Sequence, residues 1–194
     1  MFRRSRGYRR AMDVKRELDR GLDLFGDVVR LVGPDQWDAA TPCAAWNARQ
    51  LTGHVVDVMH MAVDVLRGGQ LNPPSEATES ADPLSAWEDA ASGVRGALEG
   101  ADLDAVRETP LGAQPVSFSL TFPAVDLYVH AWDLGRAIGR SVHLPDDAVS
   151  WIDGFLRRIP PDRLRGPRTF GPERPAPADA DPTTALMAFL GRAV

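Results

Sequence analysis

Asp126 and His130 place a carboxylate and an imidazole four residues apart in Asp126-Leu-Tyr-Val-His130-Ala-Trp-Asp133. Four residues along an α-helix turn through about 400°, so the two side chains leave one face, one turn apart. At that spacing both can reach a single divalent ion, and His54, far upstream, can complete a three-ligand set from a second helix. Two imidazoles and one carboxylate leave coordination positions open, the arrangement of a catalytic rather than a structural metal site. The competing reading makes each histidine a satisfied core residue. An aspartate buried beside a histidine would then need some other partner for its charge.

The neighbours of these three residues sort by helical phase. His54 has Val58 and Met61 at i+4 and i+7, so it lies on an apolar, core-facing side. Asp133 follows His130 by three positions and shares its face. It is a candidate fourth ligand, or a second-shell acceptor that holds an imidazole N–H, or the partner of Arg136 on the helix surface. Asp57 stands in the same relation to His54. His60 is about 240° round the helix from His54 and lies between Asp57 and Asp64, on a solvated face. His143 falls in a surface loop. Cys43 has no base beside it in the sequence and reads as a small loop-packing hydrophobe rather than a nucleophile. No Gly-rich phosphate loop, Gly-x-Ser-x-Gly elbow or His-Glu-x-x-His motif occurs, and no catalytic residue is assigned beyond the candidate ligands.

Helices must carry these residues, and the apolar periodicity supplies them. Leu18, Leu22, Phe25, Val29 and Val32 step by three and four over residues 14–32, before Gly33-Pro34. Asn47 is an N-cap for a helix reaching about residue 67, which carries His54. A third helix is expected over 83–98, with proline in its first turn and Gly100 after it. A fourth, over 122–138, carries Asp126 and His130. A fifth, over 146–158, opens on two acids, and a short helix over 182–190 closes the chain. Residues 70–83 and 116–120 read as loop, and the proline-rich stretch 160–182 as an extended connection. With no convincing sheet, these elements predict an all-α four-helix bundle with an extra helix and an extended Pro-rich C-terminal segment. The expected division is a disordered basic tail over 1–13, a bundle over 14–160, and an extension over 161–194 whose helix packs on the bundle. Met12 is an alternative start, and an arm for nucleic acid or anionic lipid is the competing reading of the tail.

Composition excludes several functions. The 194 residues are 44% hydrophobic and 25% charged, enough for one well-packed domain. A net charge of −5 argues against nucleic acid as a partner, since phosphate binding requires a basic face. Lys15 is the only lysine among 22 basic residues, which reads as coding bias. A single cysteine allows no intramolecular disulfide and no cysteine-rich zinc site, and fits a cytoplasmic setting. No apolar run approaches the ~18 residues of a membrane span, and no signal core follows the basic N-terminus.

Trp37 with Thr41-Pro42-Cys43-Ala-Ala-Trp46, then Leu51-Thr-Gly-His54, resembles the start of the mycothiol-dependent maleylpyruvate isomerase N-terminal-like proteins, within the DinB-like superfamily. Val129-His130-Ala-Trp132-Asp133-Leu134-Gly-Arg136-Ala137-Ile-Gly139 resembles the family's second hallmark. The ending Asp181-Pro182 through Leu186-Met-Ala-Phe189-Leu190-Gly191-Arg192 is similar to one actinobacterial branch. The resemblance covers residues 14–192. It implies a DinB-like four-helix bundle with a divalent-metal site, zinc first and nickel second. His54 and His130 take the two histidine positions, and Asp126 the carboxylate position, where the isomerase has glutamate. Mycothiol is the cosubstrate it suggests.

The resulting expectation is a cytoplasmic, metal-binding, mycothiol-type transferase or isomerase in which the metal activates a thiol or water. Its partners would be a small-molecule thiol and an unidentified electrophile, with no nucleic acid and no membrane, in a monomer or homodimer. Trp46 and Trp132 are candidates for the pocket wall, or plain core. The alternative is a non-catalytic helical domain that binds a metal or small ligand.

Overall fold

The computed structural model describes residues 3–72, 77–109, 112–166 and 169–194, with side chains from residue 13 onward. Helix α1 (Arg3–Val29) starts within the stretch expected to be a tail. It buries Leu18, Leu22, Phe25 and Val29, the residues whose spacing announced it. A 3₁₀ turn over Pro34–Gln36 follows. Helix α2 (Ala48–Leu66) opens on a capping box. Asn47 Oδ1 accepts from the Gln50 N–H at 2.9 Å, and Gln50 Oε1 from the Asn47 N–H at 3.2 Å. Helix α3 (Pro83–Leu98) is capped by Asp82, whose side chain accepts from the Ser85 N–H.

Two findings depart from the sequence expectation between residues 101 and 120. Strands β1 (Val106–Thr109) and β2 (Gly112–Pro115) form an antiparallel hairpin, with Val106 opposite Pro115 and Thr109 opposite Gly112. The strands are short and mostly exposed, so they carry no alternating apolar signal. Residues 116–120, expected as loop, instead form helix α4 (Val116–Ser119). Leu120 keeps a right-handed conformation, φ −78° and ψ −9°, and leads directly into helix α5 (Thr121–Ala137).

Helices α1, α2, α3 and α5 make the four-helix bundle. α1 lies along α5, α2 lies along α3, and α5 also meets α2. Leu51 and Met59 of α2, Trp87 of α3, and Leu127 and Leu134 of α5 are buried between them. Each such side chain contributes about 1.5–3 kcal/mol on leaving water. Trp87 meets Phe25 edge to face, with ring centroids 4.7 Å apart. The core also holds two fully buried carboxylates, Asp133 and Glu17, among the described residues; Glu17 lies on α1. Tyr128 Oη donates to it at 2.8 Å, and Arg16 and Arg20 reach it at 2.7 and 3.4 Å. Its charge is therefore compensated within the fold.

The chain divides into two compact units, Met1–Gly139 and Arg140–Val194. Helix α6 (Asp146–Leu156) lies in the second unit, and Gly139, at φ +71°, follows the end of α5. In this second unit α6 packs on helix α8 (Pro182–Phe189). The connection between them is not wholly extended. Pro160 and Pro161 start a single helical turn, α7 (Pro161–Leu164), where their fixed φ suits a helix N-terminus. Arg165 Nη1 donates to the carbonyls of Gly171 and Phe189 at 2.6 Å each, and its guanidinium lies over the Phe189 ring. The Asp181 side chain caps α8, and hydrogen bonds from the Thr184 hydroxyl and N–H hold its carboxyl below the usual carboxylate range. Among the described residues, no helix is long and apolar enough to cross a membrane.

Candidate metal centre

Two bundle helices bring the three candidate ligands together. His54 comes from α2, and Asp126 and His130 come from α5, one turn apart. One ligand atom from each lies within 4.8 Å of the others. His54 Nε2 is 3.5 Å from Asp126 Oδ2. That is long for a hydrogen bond, but two ligands of one tetrahedral ion at 2.0–2.2 Å stand about 3.4 Å apart. The donor chemistry also fits: two imidazole nitrogens and one carboxylate oxygen suit zinc or nickel, and one carboxylate offsets part of the ion's charge. His130 is buried, whereas His54 and Asp126 are partly exposed, with side-chain exposures of 16% and 28%. The cluster therefore closes on the protein side and opens on the other, where a small molecule can approach.

Each imidazole is oriented differently. His130 Nδ1 lies 3.1 Å from Oδ2 of Asp133, a residue with no exposed surface. With Nδ1 engaged there, Nε2 is the nitrogen that His130 can offer to an ion. Asp133 thus occupies the acceptor position rather than joining the three-atom cluster. Asp57, at the matching position after His54, turns to the chain instead and accepts from the Thr78 N–H at 2.8 Å. The His54 ring stacks on Trp46, with centroids 4.2 Å apart and planes at 23°. It also meets the edge of His130 at 5.2 Å. Trp46 touches His130 as well, at 5.9 Å and 67°. Trp132 is buried with the Arg136 guanidinium 5.5 Å from its ring centroid. Of the two tryptophans expected at the pocket wall, it is Trp46 whose ring contacts both histidines.

The loop before α2 sets where Trp46 points. Thr41 Oγ1 donates to the Trp46 carbonyl at 2.8 Å and accepts from the Cys43 N–H at 3.1 Å. The Trp46 N–H donates to the Cys43 carbonyl, and Ala40 bridges to Asn47. Cys43 therefore serves this turn through its backbone, in a half-buried position. His60 and His143 are exposed and stand apart from the cluster, as their positions implied.

A strap over α2 was not anticipated from the sequence. Residues 77–80 run antiparallel to the helix: Arg49 Nη1 donates to the Ser80 carbonyl at 2.7 Å, and Gln50 Nε2 to Glu79 Oε1 at 2.8 Å. Gly53 lies directly beneath, and a β-carbon there would overlap the Thr78 carbonyl oxygen. A glycine inside an otherwise good helix was the one available signal, since such a residue costs stability unless another backbone comes close.

Comparison with known proteins follows the same outline. Residues 18–135, more than half of the chain, match the family described as "Mycothiol maleylpyruvate isomerase N-terminal domain". Two uncharacterized proteins of Mycobacterium tuberculosis, one from each of two strains, are 32% identical over 187 residues, covering 94% of this chain and 100% of each relative. Among solved structures, the mycothiol-dependent maleylpyruvate isomerase aligns with a TM-score of 0.63, and a histidine-to-alanine mutant of it with 0.62. Both are 14% identical, and the alignment covers 75% of this chain and 69% of theirs. At that identity the likeness is one of fold, the DinB-like bundle.

Proposed function

The chain belongs to the mycothiol maleylpyruvate isomerase N-terminal domain family, and from that membership and the ligand cluster we propose a thiol-dependent transferase or isomerase built on a divalent-metal site. The observation that carries the reading is the convergence of His54, Asp126 and His130 within 4.8 Å on one partly open face. A divalent ion held there supplies a Lewis acid that lowers the pKa of a thiol or water at its open position. The chain's own residues do the rest. His130 and His54 present neutral nitrogens, Asp126 adds the charge, and Asp133 keeps the His130 proton on Nδ1. Trp46 lays a flat apolar face against the His54 ring and meets His130 edge-on. The cosubstrate is a low-molecular-weight thiol of the mycothiol type, acting in the cytoplasm on a small electrophile. Zinc is the first choice of ion and nickel the second.

Metal analysis of protein purified without a histidine tag tests the site. One zinc or nickel per chain, lost in the His54→Ala, His130→Ala double variant, is the expected result; no metal even after anaerobic reconstitution would sink the reading. Thiol-transfer assays with a panel of electrophiles then test the chemistry. Metal bound with uniform inactivity would identify a binding domain instead.

A further inference from the structure

We infer that Trp46 is the positioning residue of His54, doing with a ring face what Asp133 does for His130 with a hydrogen bond. The inference rests on the metal-site reading above and concerns how that site is held ready. A metal-binding imidazole is usually oriented by an acceptor on its second nitrogen. His130 follows this rule, with Nδ1 on Asp133 at 3.1 Å. At His54 the corresponding aspartate, Asp57, is turned toward the Thr78 N–H. What lies against the His54 ring is the Trp46 indole, nearly parallel at 23° and 4.2 Å away.

That geometry leaves the imidazole little choice of plane. Turning the ring about its Cβ–Cγ bond would drive its edge into the indole on one side, and His130 stands edge-on at 5.2 Å. The plane that survives points Nε2 toward Asp126 Oδ2, at 3.5 Å. The indole can serve as a stop because it is itself fixed. Its backbone carbonyl takes the Thr41 hydroxyl, its N–H goes to Cys43, and the next residue, Asn47, is the α2 N-cap.

The test compares Trp46→Leu, which keeps apolar bulk without a flat face, with Trp46→Phe, which keeps a face. Zinc affinity is read by competition with a chromophoric chelator, with circular dichroism confirming the helical fold of each apo protein. The Leu variant is expected to bind zinc about 10–100-fold more weakly than the wild type, and the Phe variant to recover most of that loss. Leu binding within about twofold of wild type, or Leu and Phe equally impaired, would overturn the inference. A second measurement needs no metal. In apo protein with isotope-labelled histidine, assigned by a His54→Gln variant, the His54 ring protons should lie upfield from the indole ring current. They should move downfield in Trp46→Phe and further in Trp46→Leu, while His60 and His143 stay in place. An unshifted His54 in the wild type also overturns the inference, even if the Leu variant does not fold. If the wild type binds no metal but the His54 shift behaves as expected, the metal reading has failed and the positioning has not.

Discussion

Asp133 has no exposed surface, and a carboxylate in that position must be satisfied inside the protein. Its contact with His130 Nδ1 does this and at the same time fixes which nitrogen His130 offers. Asp133→Ala should therefore weaken zinc binding about 10–100-fold while leaving His54 and Asp126 intact. Chelator competition on the purified variant measures it; unchanged affinity would mean that His130 needs no such partner. That Asp126 and His130 share a face was readable in the sequence, because helical phase is local, and the structure brings His54 to the same place. The roles of Asp133 and Asp57 were not separable there. Both stand three residues after a histidine, and only the path of a distant segment, the one carrying Thr78, decides which of them turns away. Trp46 was visible as a bulky residue beside the site, but its direction depends on the Thr41 turn, which spacing alone does not fix.

At the scale of elements, the strap over α2 matters most. In an open helix, exchanging glycine for alanine gains about 1 kcal/mol. At Gly53 the sign should reverse, since the added methyl meets backbone that can yield only if residues 77–80 lift away. Gly53→Ala is expected to lower the denaturant midpoint and to speed protease cleavage near Thr78; a stabilised variant would show that the strap costs nothing to displace. The main helices were legible because each carries its own signals: the Asn47–Gln50 box, the proline at the start of α3, and the Asp181 cap of α8. What escaped were the short elements. β1, β2, α4 and α7 span four residues each, too few for a period to emerge, and they are specified by what they lean on rather than by their own pattern.

For the whole molecule, the proposed ion shared by α2 and α5 would be a clasp across the bundle, and a ligand that binds only the folded state adds stability by mass action. Zinc at 100 times its dissociation constant should add about 2.7 kcal/mol. The matching observation is a thermal midpoint that rises with zinc, falls back with chelator, and does neither in a His54→Ala variant. A midpoint indifferent to zinc would argue against a site that joins the two helices. The two halves of that clasp are unequal, however. Asp126 and His130 stand one turn apart on a single helix, so their half exists as soon as that helix forms, whereas His54 arrives only when α2 docks. If the proposed ion binds, the α5 pair alone would hold it only loosely, and its tight retention would report that the bundle has closed.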